Sequence, residues 1–340
     1  MEMNYFIRLL TERVLSSGIG ITPEEAFKLT KVSEREYWSL LYAADTIRQA
    51  YKANLIKLCS IVNAKSGRCS MDCAFCAQSV HWKSPIEVYP FLSEEAILTK
   101  ASATNGRATT FSIVTAGAHL TDTEFTSVLS MVPRLQSETD MQICVSIGMC
   151  TAEQLQLLYD SGIRHFHHNL ETARSYSTSI RTTRHYDEDI AMIQAAQKHH
   201  LTPCVGGIFG MGESWEQRIE LAVTIRDLGI DSIPLNFLDA RPNTPLEHYP
   251  PLAALEALHI IAVYRFMFPS ADIRIAGGRI KTLGHLQPFI FLAGANGMLI
   301  GDYLTTHGRS IEDDMHMLEQ LELEPYSIEK EYTIFHDERR

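Results

Sequence analysis

Short apolar runs alternate with amphipathic helical segments along most of the chain, and this alternation is the strongest constraint on its fold. Eight such runs occupy residues 55–64, 109–117, 141–148, 165–171, 202–211, 231–240, 272–279 and 297–303. Strand–helix alternation of this kind is typical of parallel strands joined by crossover helices. It predicts an α/β fold, a (β/α)8 TIM-type barrel, with an open doubly wound sheet as the alternative because periodicity alone does not show closure.

The ends of the chain follow a different pattern from the barrel region. Residues 1–54 are predicted to form an N-terminal helical extension, residues 55–305 the barrel, and residues 306–340 a C-terminal helical tail. Within the extension, Thr22 is a predicted helix cap, Pro23 lies in the first turn, and Glu25 completes a capping box.

Charge and cysteine content narrow the classes of function. The net charge is -11, which argues against general affinity for nucleic acid or anionic membranes. No apolar stretch is long enough to span a bilayer, and the N-terminus lacks the features of a signal peptide, so we expect a cytoplasmic protein. Seven clustered cysteines in such a protein favour metal binding or catalysis over disulfides.

Several predicted strands place one polar or soft residue between apolar neighbours. Successive side chains on a strand point to opposite faces, so the apolar neighbours would face the outer helices and the polar set the interior. The set that this parity directs inward comprises Ser112, Cys144, His167, Asn169, Glu171, Asn236 and Arg274. An interior this polar predicts a deep active site rather than a packed core.

Three cysteines, Cys69, Cys73 and Cys76, follow the first predicted strand with the spacing C-x3-C-x2-C. Zinc binding and buried thiols are the alternatives, but structural zinc sites usually combine paired C-x2-C units and four ligands. Three thiolates on a [4Fe–4S] cluster leave one iron open for a further ligand. The spacing, at the barrel end where active sites lie, favours such a cluster.

Motifs spread over most of the chain resemble those of the biotin synthase family of radical S-adenosylmethionine (SAM) enzymes. They are "SGRCSMDCAFCAQS", "HHNLET", "IRTTRHYDEDI", "CVGGIFGMGE", "PLNFLDARPNTPLEH", "RIAGGR" and "LAGANGMLIGDYLTT", in the family's order. The resemblance implies a [4Fe–4S] cluster, SAM, the substrate dethiobiotin and an auxiliary [2Fe–2S] cluster that donates sulfur. It also leads us to expect an electron donor such as flavodoxin or ferredoxin, and a homodimer.

The resemblance assigns roles position by position. Cys69, Cys73 and Cys76 match the [4Fe–4S] ligands, and Cys144, Cys204 and Arg274 match three of the four ligands of the auxiliary cluster. Residues matching SAM-binding positions are Asn169 and Glu171 at the ribose, Arg184 at the carboxylate, and Gly206 and Gly210 near the adenine. Asn236 and His167 match positions beside the substrate ring.

Three positions depart from the family's pattern. Ser112 stands where the fourth auxiliary ligand is a cysteine, Glu171 where the ribose-binding residue is an aspartate, and His167 where the substrate site has an asparagine. Ser112 puts the auxiliary cluster in question, because a neutral hydroxyl is a poorer iron ligand than a thiolate. Cys59 has no match and is predicted to be a buried strand thiol, and Cys150 is unassigned.

Two other functions remain open at this point. One is a related radical SAM enzyme without sulfur insertion, either a carbon-skeleton mutase or a hydrogenase-cofactor maturase, which Ser112 and His167 favour. The other is a zinc- or cluster-binding protein that is not an enzyme, which the polar interior opposes.

Overall fold

The computed structural model describes residues 2–327 and Lys330. The strands are β1 (Leu55–Lys65), β2 (Thr110–Thr115), β3 (Gln142–Ser146), β4 (His165–His167), β5 (Thr202–Cys204), β6 (Gly207–Phe209), β7 (Ser232–Phe237), β8 (Asp272–Ile275), β9 (Gly297–Leu299) and β10 (Glu324–Pro325). Each of the eight predicted runs contains a strand, and the run at residues 202–211 contains two.

Most helices lie between successive strands. The α-helices of the described residues, including α1 to α3 before the first strand, are α1 (Glu2–Ser17), α2 (Pro23–Leu29), α3 (Glu34–Lys52), α4 (Glu94–Ser102), α5 (Asp122–Glu138), α6 (Ala152–Asp160), α7 (Arg174–Ile180), α8 (Tyr186–Lys198), α9 (Trp215–Asp227), α10 (Ala254–Met267), α11 (Arg279–Leu283), α12 (Phe289–Leu292) and α13 (Ile311–Gln320). None of the helices in the described part of the chain is long and apolar enough to cross a membrane.

The sheet is parallel throughout, so the predicted α/β class is confirmed. Its strand order is β5-β4-β3-β2-β1-β9-β8-β7-β6, with β10 beside β1. The two end strands β5 and β6 follow one another in the chain with only Val205 and Gly206 between them. The sheet is therefore strongly curled, because its opposite edges meet in a single extended segment.

The flanking regions match the predictions in part. Helices α1 to α3 precede the first strand, and Thr22 and Glu25 form the predicted capping box, with the Thr22 N–H donating to the Glu25 carboxylate at 2.9 Å. The C-terminal region contains α13, but residues 324–325 pair with β1 as a strand, so the prediction of a wholly helical tail is wrong there. The rest of that prediction, at residues 328–329 and 331–340, lies outside the described residues.

A polar network joins the amino ends of β8 and β9. Arg265 is fully buried at the end of α10, and its guanidinium donates to the carbonyl oxygens of Gly294, Phe268, Pro269 and Ala271 and to Asn296 Oδ1. Burial lowers its pKa to about 9. One cation thus satisfies several buried oxygens that would otherwise lack partners.

We expect Arg265→Met to lower the free energy of unfolding by at least about 3 kcal/mol, because several buried carbonyl groups would lose their donor. The control is Arg35→Met on the exposed face of α3, which makes the same chemical change at the surface. Urea unfolding followed by circular dichroism measures both. Equal midpoints for the two variants would contradict a structural role for Arg265.

Candidate active site

The inward-facing side chains of the strands surround one cavity of about 420 Å³ that extends to the carboxyl ends of the strands. Cys69, Cys73, Arg184, Gly206 and Gly210 are not among its lining residues, whereas eight other sequence-derived candidates are, namely Ser112, Cys144, His167, Asn169, Glu171, Cys204, Asn236 and Arg274. Cys76, from the cysteine loop, also lines it. The cavity therefore connects the cysteine loop at the mouth with the polar interior.

The loop that carries Cys69, Cys73 and Cys76 follows β1 directly. Its three thiols are free, and Cys76 interacts electrostatically with both of the others. Burial raises the pKa of Cys73 to about 12 and that of Cys76 to about 11. Among residues 2–327 and Lys330, no three His, Cys, Asp or Glu side chains are grouped so that they could hold a metal ion.

Asp72 fixes the cysteine loop to the segment after α7. Its carboxylate accepts hydrogen bonds from the backbone N–H and hydroxyl groups of both Thr182 and Thr183. The Ala74 N–H donates to the Ile180 carbonyl oxygen at 2.9 Å. Although partial burial acts in the opposite direction, these donors hold the pKa of Asp72 below its usual range. The cysteines and the two arginines near Thr182 are therefore parts of one unit.

Those arginines, Arg181 and Arg184, converge on Asp189 near the cysteine loop. Asp189 is fully buried, forms ion pairs with Arg181 and with Arg184 Nε at 2.9 Å, and is hydrogen-bonded to His168 Nε2 at 2.8 Å. Both arginines act electrostatically on Cys73. The motif identified Arg184, but the sequence carried no signal that Arg181 and Asp189 would complete this group.

Asn169 and Glu171 are held against the strand segment after β5. The Gly206 N–H donates to Asn169 Oδ1 at 3.0 Å, and Asn169 Nδ2 donates to Glu171 Oε2 at 3.2 Å. Burial raises the pKa of Glu171, while Arg181 and His167 nearby act in the opposite direction. An amide and a carboxyl group are thus presented side by side at the cavity wall.

The glycines of "GGIFGMGE" have reasons within the fold to be glycines. A Cβ atom on Gly206 would lie 1.8 Å from the Pro234 carbonyl oxygen, and Gly210 adopts φ +92°. Glu213, which ends the motif, accepts hydrogen bonds from the N–H groups of Gly210 and Met211 and from Arg218. The motif therefore shapes a tight turn, and contact of Gly206 and Gly210 with adenine stays a prediction.

Asn236, on β7, and His167, on β4, both line the cavity. Asn236 Nδ2 donates to the Gly207 carbonyl oxygen at 3.2 Å, and its Oδ1 accepts from the Gly277 N–H at 2.8 Å. The side chain is thereby fixed, with one N–H and one lone pair remaining. Burial lowers the pKa of His167 to about 4, so this ring is neutral at pH 7.

The deep end of the cavity holds Arg274. Its Nη1 donates to Cys59 Sγ at 3.0 Å and its Nη2 donates to Ser232 Oγ, whereas its buried Nε has no hydrogen-bond partner. No carboxylate among the described residues forms an ion pair with Arg274, and the nearby Asp272 is paired with Lys52 and Lys57. Cys144 is buried beside Ser112, and Cys204, Arg274 and Cys59 are its other electrostatic neighbours.

Cys59 is the residue that sequence reasoning undervalued. It is buried, as predicted, but it lines the cavity and contacts Arg274. Its position in β1, alternating with Leu58 and Ser60, carries the same inward parity as the candidates on other strands, and this was the available signal. Cys150 is half-buried and packs against the hydrophobic core away from the cavity.

Models of protein families match two parts of the chain. Residues 64–225 match the radical SAM superfamily, and residues 234–324 match the biotin and thiamin synthesis associated domain. Together with the parallel fold and the cysteine loop at the mouth of the cavity, the first match defines a radical SAM enzyme. The second match, which runs from within β7 to the start of β10, narrows this class to proteins with a domain associated with biotin and thiamin synthesis.

Relatives over nearly the whole chain give the family. The chain is 46% identical over 303 residues to a biotin synthase of Nitratidesulfovibrio vulgaris strain Hildenborough, covering 89% of this chain and 84% of that one. It is 43% identical over 321 residues to a biotin synthase of Syntrophus aciditrophicus, covering 94% and 99%. The chain belongs to the biotin synthase family.

Solved structures support the fold. Methylornithine synthase (PylB) superimposes with a TM-score of 0.81 at 20% identity, covering 94% of this chain and 97% of that chain. HydG, a maturase of the [FeFe]-hydrogenase, gives a TM-score of 0.80 at 15% identity, covering 95% and 75%. At these identities the likeness concerns the fold alone.

We expect Asp72→Ala to release the cysteine loop from Thr182 and Thr183, because the carboxylate is the shared acceptor. The backbone amides of both threonines should exchange with solvent roughly 10- to 100-fold faster, which corresponds to losing charge-assisted hydrogen bonds. Hydrogen exchange measured by mass spectrometry tests this, with the exposed Asp140→Ala as the control. Unchanged exchange at both threonines would show that Asp72 does not fix the loop.

Proposed function

We propose that the chain is a biotin synthase that converts dethiobiotin to biotin by radical insertion of sulfur. The observation that carries the proposal is the single cavity that joins the cysteine loop to the interior group of Cys144, Cys204 and Arg274. A radical generated at the mouth and a sulfur source at the deep end would then both face a substrate held between them. When bound, a reduced [4Fe–4S] cluster supplies the electron that cleaves SAM to methionine and a 5′-deoxyadenosyl radical.

Cys69, Cys73 and Cys76 would hold that cluster. Their free thiols lie in a loop fixed by Asp72, and Cys76 faces the cavity. Three ligands from the protein leave one iron for the amino and carboxylate groups of SAM. The chain's own contribution is to hold the thiolates rigidly and to exclude water.

SAM would lie between the cysteine loop and the segment after β4. Arg184 would bind its carboxylate, with the charge of Asp189, 2.9 Å from Nε, holding the guanidinium near the site and the other nitrogens left to donate. Asn169 and Glu171 would bind the ribose hydroxyl groups, since both line the cavity. Glutamate in place of aspartate keeps the charge and the reach of this contact.

Dethiobiotin would occupy the cavity between the two ends. The remaining N–H and lone pair of Asn236 suit the ureido ring, which offers both acceptors and donors. His167, neutral at pH 7, can still donate one hydrogen bond. Asn236 would therefore orient the ring, and His167 would contact it from a nearby strand.

An auxiliary cluster that donates sulfur would occupy the deep end. Support for it comes from Arg274, a buried cation whose Nε has no hydrogen-bond partner and whose nearby carboxylate, Asp272, is paired with Lys52 and Lys57. A buried charge in this state requires compensation, which an anionic cluster provides. We propose the [2Fe–2S] type.

We infer that the sheet closes into a (β/α)8 barrel spanning residues 55–305, with residues 1–54 and 306–340 as additions. Closure is supported because β5 and β6 are two short strands of one chain segment, of which β5 pairs with β4 and β6 with β7. The Val205 N–H donates to the Ser232 carbonyl oxygen at 2.9 Å, and β6 continues the pairing with β7. Counting β5 and β6 as one position gives eight positions around the ring.

A mutase or maturase without sulfur insertion is the second candidate. The likeness to methylornithine synthase and HydG concerns the fold only, and the interior cysteines together with Arg274 oppose this candidate. In either case a one-electron donor such as flavodoxin or ferredoxin would reduce the cluster. Assembly as a homodimer stays a prediction.

The proposal is tested by anaerobic turnover with dethiobiotin, SAM and a reductant, followed by mass spectrometry. The wild-type protein should form 5′-deoxyadenosine and biotin. Cys73→Ala should form neither, because two thiolates from the loop do not hold the cluster. Cys150→Ala, outside the cavity, should behave as wild type. SAM cleavage without any sulfur-containing product in the wild-type protein would favour the mutase-like candidate.

We expect Arg184→Lys to weaken SAM binding by roughly 1–3 kcal/mol although the charge is kept. Lysine has no planar fork with which to contact Asp189 and a carboxylate at the same time. Isothermal titration calorimetry on the anaerobic, cluster-loaded protein measures the affinity, with the exposed Arg35→Lys as the control. Equal affinities of Arg184→Lys and wild type would exclude this role.

A further inference from the structure

We propose that Cys59, and not Ser112, supplies the third thiolate ligand of the auxiliary cluster together with Cys144 and Cys204, and that Arg274 lies next to the cluster. This inference rests on the proposed function, because it presumes that an auxiliary cluster is bound at the deep end of the cavity. It concerns which residue of this chain takes the position where the family pattern has a cysteine and this sequence has a serine.

The register of the strands places these four residues in one layer. In a (β/α)8 barrel, four interior side chains from alternate strands share a layer. Cys59, Cys144, Cys204 and Arg274 lie at the first, third, fifth and seventh of the eight ring positions, counting β5 and β6 as one. These four residues therefore lie on alternate strands, as the members of a single layer do.

The register between neighbouring strands places these four residues at the same level along the barrel axis as well. From Cys59 the pairing runs through Thr110 to Gln142, two residues before Cys144. From Cys144 it runs through His165 to Thr202, two residues before Cys204.

The same shift of two residues completes the ring. Extending the β6–β7 pairing back from Gly207 opposite Leu235 sets Cys204 opposite Ser232, which pairs with Asp272, two residues before Arg274. Arg274 pairs with Gly297, and Gly297 pairs with Lys57, two residues before Cys59. Four shifts of two residues make eight in all, which is the shear of this barrel type.

Ser112 belongs to the neighbouring layer. It lies on the second strand, directly opposite Cys144 in the register, and the same steps place it with His167, Pro234 and Leu299. Its hydroxyl group is hydrogen-bonded with Cys144. Ser112 is thus placed to donate a hydrogen bond to a ligand sulfur, a contact that tunes the reduction potential of an iron–sulfur cluster.

Contacts inside the layer support Cys59 as a ligand. Arg274 Nη1 donates a hydrogen bond to Cys59 Sγ at 3.0 Å, so these two side chains of the layer are in contact. Cys59 and Cys204 both interact electrostatically with Cys144. A thiolate is a better donor to iron than a serine hydroxyl group, and Cys59 is the thiol that completes a set of three beside the arginine.

The alternative is a purely structural role, in which Cys59 only accepts a hydrogen bond that positions Arg274. Cys59→Ser separates the two roles, because serine keeps an acceptor for Arg274 but replaces sulfur with oxygen. Cys59→Ala removes both functions, and Cys59→Ala with Ser112→Cys moves the thiol to the second strand. Cys150→Ala is the matched control for the loss of a thiol outside the cavity.

The experiment is anaerobic reconstitution with iron and sulfide, followed by iron and sulfide analysis and by Mössbauer and absorption spectroscopy. If Cys59 is a ligand, Cys59→Ala should hold about two fewer iron and two fewer sulfide ions per chain than wild type, the content of a [2Fe–2S] cluster. Cys59→Ser should alter the Mössbauer signals of that cluster, and Ser112→Cys in the Cys59→Ala background should restore the content. Ser112→Ala and Cys150→Ala should keep the iron content of wild type.

Two outcomes overturn different statements. If Cys59→Ala and Cys59→Ser keep the iron, sulfide and Mössbauer signals of a wild-type protein that holds both clusters, Cys59 is not a ligand and the proposed function stands. If the wild-type protein itself holds only the SAM-cleaving cluster, the auxiliary cluster is absent and the proposed sulfur insertion fails with it. Formation of 5′-deoxyadenosine by each variant shows in both cases that the loop cluster is intact.

Discussion

Arg274 carries a positive charge into the ring of strands, where Cys59 and Ser232 accept its hydrogen bonds and its Nε has no partner. The thiols of Cys59 and Cys204 and the carboxylate of Asp272 raise its pKa, although burial alone would lower it. Asp272 is already paired with Lys52 and Lys57, so it does not neutralise Arg274 directly. A charge left in this state is costly unless an anion joins it. The composition of the deep cavity is understandable if three thiolates and an inorganic cluster complete the site.

The polar groups at the two ends of the strands have different roles. At the amino ends of the strands, Arg265 and Asn296 form hydrogen bonds with buried groups of the protein itself, so their role is structural. At the carboxyl ends, Asp72, Asp189 and Glu213 each gather several donors and fix the loops that carry functional side chains. Hydrogen bonds and ion pairs of this kind hold the loops, and the side chains on them, in a defined geometry.

Much of this organisation follows from the sequence. Alternation located the strand positions from β1 to β9, and parity identified several of the polar side chains that line the cavity, because both depend only on the period of a strand. The three-cysteine loop was recognisable from its spacing. The layer that contains Cys59 was not, since it depends on shifts of register between strands, and these are set by tertiary packing. The convergence of Arg181 and Arg184 on Asp189, and the strand at residues 324–325, likewise result from contacts between segments distant in the chain.

The central claim is that one cavity joins a radical-generating loop to a sulfur source within the same chain. It is tested most directly by reconstituting the protein with ³⁴S-labelled sulfide, removing the excess sulfide, and analysing the product of a single turnover with dethiobiotin by mass spectrometry. We predict biotin that carries ³⁴S, because the sulfur would come from the cluster beside Arg274. Formation of 5′-deoxyadenosine with unlabelled biotin, or with no biotin, would contradict the claim.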